Sequence, residues 1–172
     1  MNVQKNSFST KVIAETVMFV ALATVLSSIK IFQLPQGGSV TAGSMVPILW
    51  LALRRGPKMG LFGAIMYGFI QAVFDPFIVH PAQLLLDYPI AFGLLGVTGF
   101  FQKRPFVGVT LGVIGRFVAH YFSGVIFFGE YAEGNPLIYS AVYNGGYLVV
   151  ELVISLYIIY MLKRSKVLQI YM

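Results

Sequence analysis

Gln83-Leu84-Leu85-Leu86-Asp87-Tyr88-Pro89 sets one carboxylate and one phenol inside a run that is otherwise apolar. The apolar stretch around it, about residues 82–101, is as long as a lipid-crossing helix, which needs ~20 residues. An ionisable side chain in such a helix costs ~2.5–3.5 kcal/mol on insertion scales, so it should face protein, water or a ligand. Asp87 is therefore half of a structural ion pair or part of a site. The choice depends on whether other polar groups reach its depth.

The composition supports lipid as the solvent. Of 172 residues 58% are hydrophobic and only 10% charged, against about a quarter charged in a soluble domain. No cysteine is present, which excludes disulfides and thiol chemistry. His80 and His120 are too few for an ordinary zinc site, so neither a metal nor a resident cofactor is expected. The net charge of +6 sits in short clusters at the ends of apolar runs, a signature of membrane topology and not of nucleic-acid binding. The polar start and the length of the first apolar run argue against a cleaved signal peptide.

The chain reads as a single all-α integral membrane domain over 1–172, with six transmembrane helices near 10–29, 42–54, 59–74, 82–101, 106–128 and 137–162. Thr10 is the predicted N-cap of the first. The second is short for a full span and is expected to be tilted or sunk beside others. Small residues at close spacing (Ala21, Ala23 and Ser27 on the first span; Gly60, Ala64 and Gly68 on the third) predict faces for close helix contact. The Pro- and Gly-rich stretch around Gln33–Val40 reads as a loop. Six spans put both termini on one side, with Lys5, Lys11, Arg54, Arg55, Lys58, Lys103, Arg104, Lys163, Arg164 and Lys166. Only Lys30 among the flanking cations falls opposite, beside Asp75, Glu130 and Glu133. The positive-inside rule then makes the termini cytoplasmic.

At 1.5 Å rise per residue, the fourth, fifth and sixth spans bring Asp87, Tyr88, His120, Tyr139, Tyr143 and Asn144 into the outer third of the bilayer. An aromatic belt accounts for the tyrosines but not for Asp87, His120 or Asn144. A few polar groups within aromatic walls are what a small-molecule pocket needs. One carboxylate in a cage of Phe77, Tyr88, Tyr121, Phe128 and Tyr139 suits a cation or an aminopyrimidine-like donor. Arg116, one turn below His120, is expected to partner Asp87 or Glu151. Trp50 reads as core or interface packing. Nothing supplies the nucleophile–base pair of a membrane protease, a phosphate-binding loop or the repeated halves of a secondary transporter.

Several motifs in order resemble one family over nearly the whole chain. They are Leu34-Pro35-Gln36-Gly37-Gly38-Ser39-Val40, Leu53-Arg54-Arg55-Gly56, His80-Pro81-Ala82-Gln83-Leu84-Leu85-Leu86-Asp87-Tyr88 and Tyr139-Ser140-Ala141-Val142-Tyr143-Asn144-Gly145. Together they resemble the thiamine-specific substrate-binding subunit (S component) of energy-coupling factor transporters. The resemblance implies the six-helix S-component fold and a subunit that binds the vitamin outside and hands it inward. A transmembrane coupling subunit and two cytoplasmic ATPases would supply the power. It implies ligand-binding roles for Asp87, Tyr88, His120, Gly124, Tyr139 and Asn144, with Phe128 and Phe77 where some members have tryptophan and tyrosine. Asp87 stands where some members have glutamate. The alanine strip that seats the coupling subunit maps onto Ala21 and Val25, and the loop Lys30 to Thr41 is implied to be a lid. The alternatives are the same fold serving another vitamin or a thiamine precursor, a small membrane enzyme using His120 and Asp87, and a purely structural subunit.

Overall fold

The computed structural model describes residues 9–165; Lys5 and Lys166, two of the cations counted above, lie outside it. Apolar runs punctuated by proline and glycine give a mostly helical chain. The elements are α1 (Thr10–Ser27), β1 (Lys30–Gln33), β2 (Ser39–Thr41), α2 (Val46–Arg55), α3 (Pro57–Phe74), α4 (Pro81–Phe101), α5 (Pro105–Phe127) and α6 (Pro136–Arg164). Proline stands at the first position of α3, α4, α5 and α6, where its missing N–H is no loss. The α1 cap is Ser9, one residue before the predicted Thr10: its Oγ accepts from Val12 N. The residue just outside the first turn holds the extended conformation that capping needs.

Among the described residues four helices, α1, α4, α5 and α6, are by themselves long and apolar enough to cross a membrane; α2 and α3, the second and third of the six predicted spans, are not among them. The second predicted span is the ten-residue α2, and every residue from Val46 to Leu53 is buried. A helix apolar all round belongs inside, and α2 packs against α1, α3 and the end of α4. Trp50 is part of this core.

The small-residue faces divide. On α3 the expected face is used internally: a side chain added at Gly60 would meet Ala52 and Gly96, and Ala64 is fully buried. The strip expected on α1 is not one face. Ala23 is buried and Ser27 turns inward to Gln71, whereas Ala21 and Val25 point outward.

The predicted loop between α1 and α2 is an antiparallel hairpin, with Phe32 opposite Val40 and Gln33 opposite Ser39. Gln36 and Gly37 turn it with φ of 59° and 91°. The proline and glycines of the predicted loop make the turn, but the β-branched and aromatic residues flanking them pair as strands. Lys30 ties the hairpin to Asp75 at the end of α3, 2.7 Å away. At the opposite end Glu15 of α1 pairs with Arg54 and Arg55 of α2, and Lys163 lies over the Phe106 ring.

α4 is irregular where it matters. Pro89 has no N–H to donate, and the turn Leu86–Ile90 is wound wider than an α-helix, a bulge common at functional sites. Here α3 packs backbone to backbone: a Cβ at Gly68 would stand 2.6 Å from the Tyr88 carbonyl oxygen and 2.9 Å from Pro89 Cα. The contact is backbone on both sides and cannot give way cheaply. Gly68→Ala should therefore lower stability by ~1–3 kcal/mol through overpacking, read as a fall in the detergent melting temperature.

Candidate functional site

Between the hairpin and the ends of α3 to α6 lies a cavity of about 110 Å³ that opens to solvent. Phe77, Asp87, Tyr88, His120, Gly124, Phe128, Tyr139 and Asn144, the eight ligand-binding candidates from the sequence, all line it. Ala21 and Val25 lie elsewhere, on the outward face of α1.

Asp87 is the hub. His120 Nδ1 lies 2.9 Å from Oδ1, while Gln83 Nε2 at 2.6 Å and Ser123 Oγ at 2.8 Å both donate to Oδ2. Arg116 Nε donates to His120 Nε2 across 3.2 Å. An imidazole nitrogen that accepts there carries no proton, so the ring proton sits on Nδ1 and is donated to Asp87. His120 is thus a neutral bridge between guanidinium and carboxylate. The Asp87 and His120 side chains are 14% and 11% exposed, where charge-assisted bonds of this kind are strong. Arg116 pairs directly with neither Asp87 nor Glu151, contrary to expectation. It lies 4.1 Å over the Phe92 ring and reaches Asp87 only through His120. A wide, flat guanidinium is suited to that combination of stacking and donation.

The other candidates divide between wall and scaffold. The Phe77 and Phe128 rings stack at 5.9 Å, and Tyr139 stacks on Tyr143 at 5.8 Å. Tyr88 OH accepts from Phe77 N at 2.7 Å and donates to the Asp75 carbonyl at 3.1 Å, so it fixes the chain between α3 and α4. At Gly124 α5 and α6 press together, since a Cβ there would overlap Ser140 Oγ. Asn144 uses that proximity: its Nδ2 donates to the carbonyls of His120 and Ser140, and its Oδ1 accepts from Tyr147 OH. Tyr121 does not line the cavity; it packs on Phe117 and Phe122, one helix position round from His120.

Sequence reasoning gave no role to Gln83, Ser123 and Tyr147, and named Glu151 only as a partner for Arg116. Gln83 is four residues before Asp87, and Ser123 three after His120, spacings that share a helix face. The hairpin supplies part of the roof: Tyr143 OH accepts from Gly38 N at 3.0 Å and also donates to the Pro35 carbonyl. Gly37 abuts Phe77 so closely that a Cβ would be 3.1 Å away. Among the described residues no group of His, Asp or Glu is placed to hold a metal ion.

A cavity that joins a hydrogen-bonded carboxylate to aromatic walls, among helices fit to cross lipid, defines a membrane protein built around a small-molecule site. Residues 13–170 match the model of the family described as thiamine transporter protein (Thia_YuaJ), and the chain belongs to that family. It is similar to the thiamine transporter ThiT of Bacillus subtilis, 35% identical over 161 residues, covering 81% of this chain and 83% of that one. Similarity to ThiT of Lacticaseibacillus paracasei is 29% over 174 residues, 86% and 84% of the two chains. The solved structure of ThiT from Listeria monocytogenes shares the fold with a TM-score of 0.83 at 25% identity, over 90% of this chain and 94% of that one. The family is one of transporters and not of enzymes, which removes the membrane-enzyme reading.

Ser123 is fully buried and its hydroxyl serves Asp87. Ser123→Ala leaves a carboxylate oxygen one donor short, a loss of about 1.5–3 kcal/mol for a bond to a charged group. The variant should melt lower, whereas Ser165→Ala, at an exposed hydroxyl, should not.

Proposed function

We propose that this protein is the high-affinity thiamine-binding subunit of an energy-coupling factor transporter in a bacterial cytoplasmic membrane. It crosses the membrane six times, with both termini in the cytoplasm. The observation that carries the reading is the Asp87 carboxylate, oriented by three donors and facing a cavity with aromatic walls. Thiamine matches that chemistry at both of its rings. Its thiazolium is a permanent cation that a carboxylate and aromatic faces attract, and its aminopyrimidine offers an N–H donor. Asp87 balances the charge and has room for one further donor. His120 and Phe128 flank a ring, and Tyr88, Tyr139 and Asn144 hold the walls and polar edges. The fold, the family and the named relatives support the reading.

Uptake needs power that this chain does not supply. A transmembrane coupling subunit and two cytoplasmic ATPases supply it, with the coupling subunit seated on the outward face of α1 around Ala21 and Val25. Those residues, with Val17, Met18 and Leu22, form an exposed apolar surface, as a helix-docking face requires.

Titrating the detergent-purified protein with thiamine, riboflavin and the hydroxymethyl pyrimidine precursor tests the assignment. Tight single-site binding of thiamine, with the uncharged precursor weak and riboflavin silent, is the expected result. Tighter binding of the precursor than of thiamine would move the assignment to a pyrimidine carrier.

A further inference from the structure

Asp87 has little capacity left for a ligand. A carboxylate offers about four acceptor sites, and His120, Gln83 and Ser123 occupy three. The same cavity holds a second carboxylate with more to give. Glu151 lies on α6 two turns beyond Asn144, about 10 Å further along the helix, and lines the cavity. It is 2% exposed. Its Oε1 accepts from Thr41 N at 2.5 Å and from the Thr41 hydroxyl at 2.7 Å. Its Oε2 is buried without a hydrogen-bond partner among the described residues, and no cation pairs with it among their ion pairs. A buried, charged oxygen left without a donor is among the costlier defects a fold can hold. Its place in the wall of the cavity implies that something in the cavity completes it.

We infer that Glu151 accepts a hydrogen bond from a hydroxyl group of the bound ligand, and that its charge excludes ligands phosphorylated at that hydroxyl. The inference rests on the thiamine reading: thiamine carries its hydroxyl on the ethyl arm of the thiazolium, away from the aminopyrimidine. The surroundings favour a neutral hydroxyl over a second cation. Arg116 also lines the cavity. A hydroxyl can donate to a carboxylate and accept from a guanidinium at once. A phosphate would gain from Arg116 but would set its negative charge against a buried carboxylate already committed to Thr41, and buried like charges repel strongly. Glu151 is in this sense a specificity residue that also holds the hairpin.

The test is a competition titration of the full chain in detergent with thiamine and thiamine monophosphate. The wild type should prefer thiamine. Glu151→Gln, nearly isosteric and still an acceptor for Thr41, should shrink that preference by about tenfold or more. Glu151→Asp, which retains the charge, should keep it. Thr41→Val removes the hydroxyl that ties the hairpin to Glu151 and Ser44 but keeps the carboxylate; it should weaken both ligands while leaving their ratio unchanged. An unchanged ratio in Glu151→Gln overturns the inference while the thiamine reading stands. So does a ratio that moves as far in Thr41→Val, or a wild type that binds the two ligands equally, Arg116 then governing that end. A wild type that binds neither removes the thiamine reading and this inference together.

Discussion

The Asp87 carboxylate, held between α4 and α5, is the constraint on which the rest of the architecture depends. A charge at this depth is tolerable only because its oxygens are matched by Gln83 from its own helix and by His120 and Ser123 from the next. Arg116 stands behind His120 and fixes which imidazole nitrogen bears the proton. The result is a directional chain from guanidinium through neutral imidazole to carboxylate. Removing any member leaves a buried polar group unmatched, which costs more than the bond itself contributes.

The unusual features of the fold follow from placing that chain at the edge of a cavity. Pro89 widens the α4 turn that carries Asp87 and Tyr88. Gly68 lets α3 press directly on that turn, and Gly124 lets α6 approach α5 closely enough for Asn144 to reach the His120 carbonyl. The short α2, buried on every side, fills the space beneath. The hairpin roofs the cavity through three separate ties: Lys30 to Asp75, Gly38 to Tyr143 and Thr41 to Glu151. Each joins a different point of the hairpin to a helix that lines the cavity.

Much of this was legible in the chain because lipid makes the rules strict. Polar side chains in apolar runs are few, so Asp87, His120 and Asn144 could be singled out, and helix rise alone brought them to one level. What sequence could not supply was direction. Tyr121 is adjacent to His120 yet faces Phe117 and Phe122, and Ala21 and Ala23, two residues apart, point outward and inward. Arg116 was paired by charge with a carboxylate, whereas geometry gives it an imidazole and the face of Phe92. The hairpin was hidden because its strands are only four and three residues long, too short for alternation to register.

Two carboxylates in one cavity thus divide the work: Asp87, oriented by protein, provides charge, and Glu151 provides an acceptor still open. The most direct test of the central claim is the thiamine affinity of Asp87→Asn at neutral pH, measured calorimetrically on protein that still elutes as a single folded species. The account predicts a loss of at least about tenfold, the scale of one hydrogen bond to a charged group. Affinity equal to that of the wild type would contradict it, because the carboxylate around which the cavity is built would then have no part in holding the ligand.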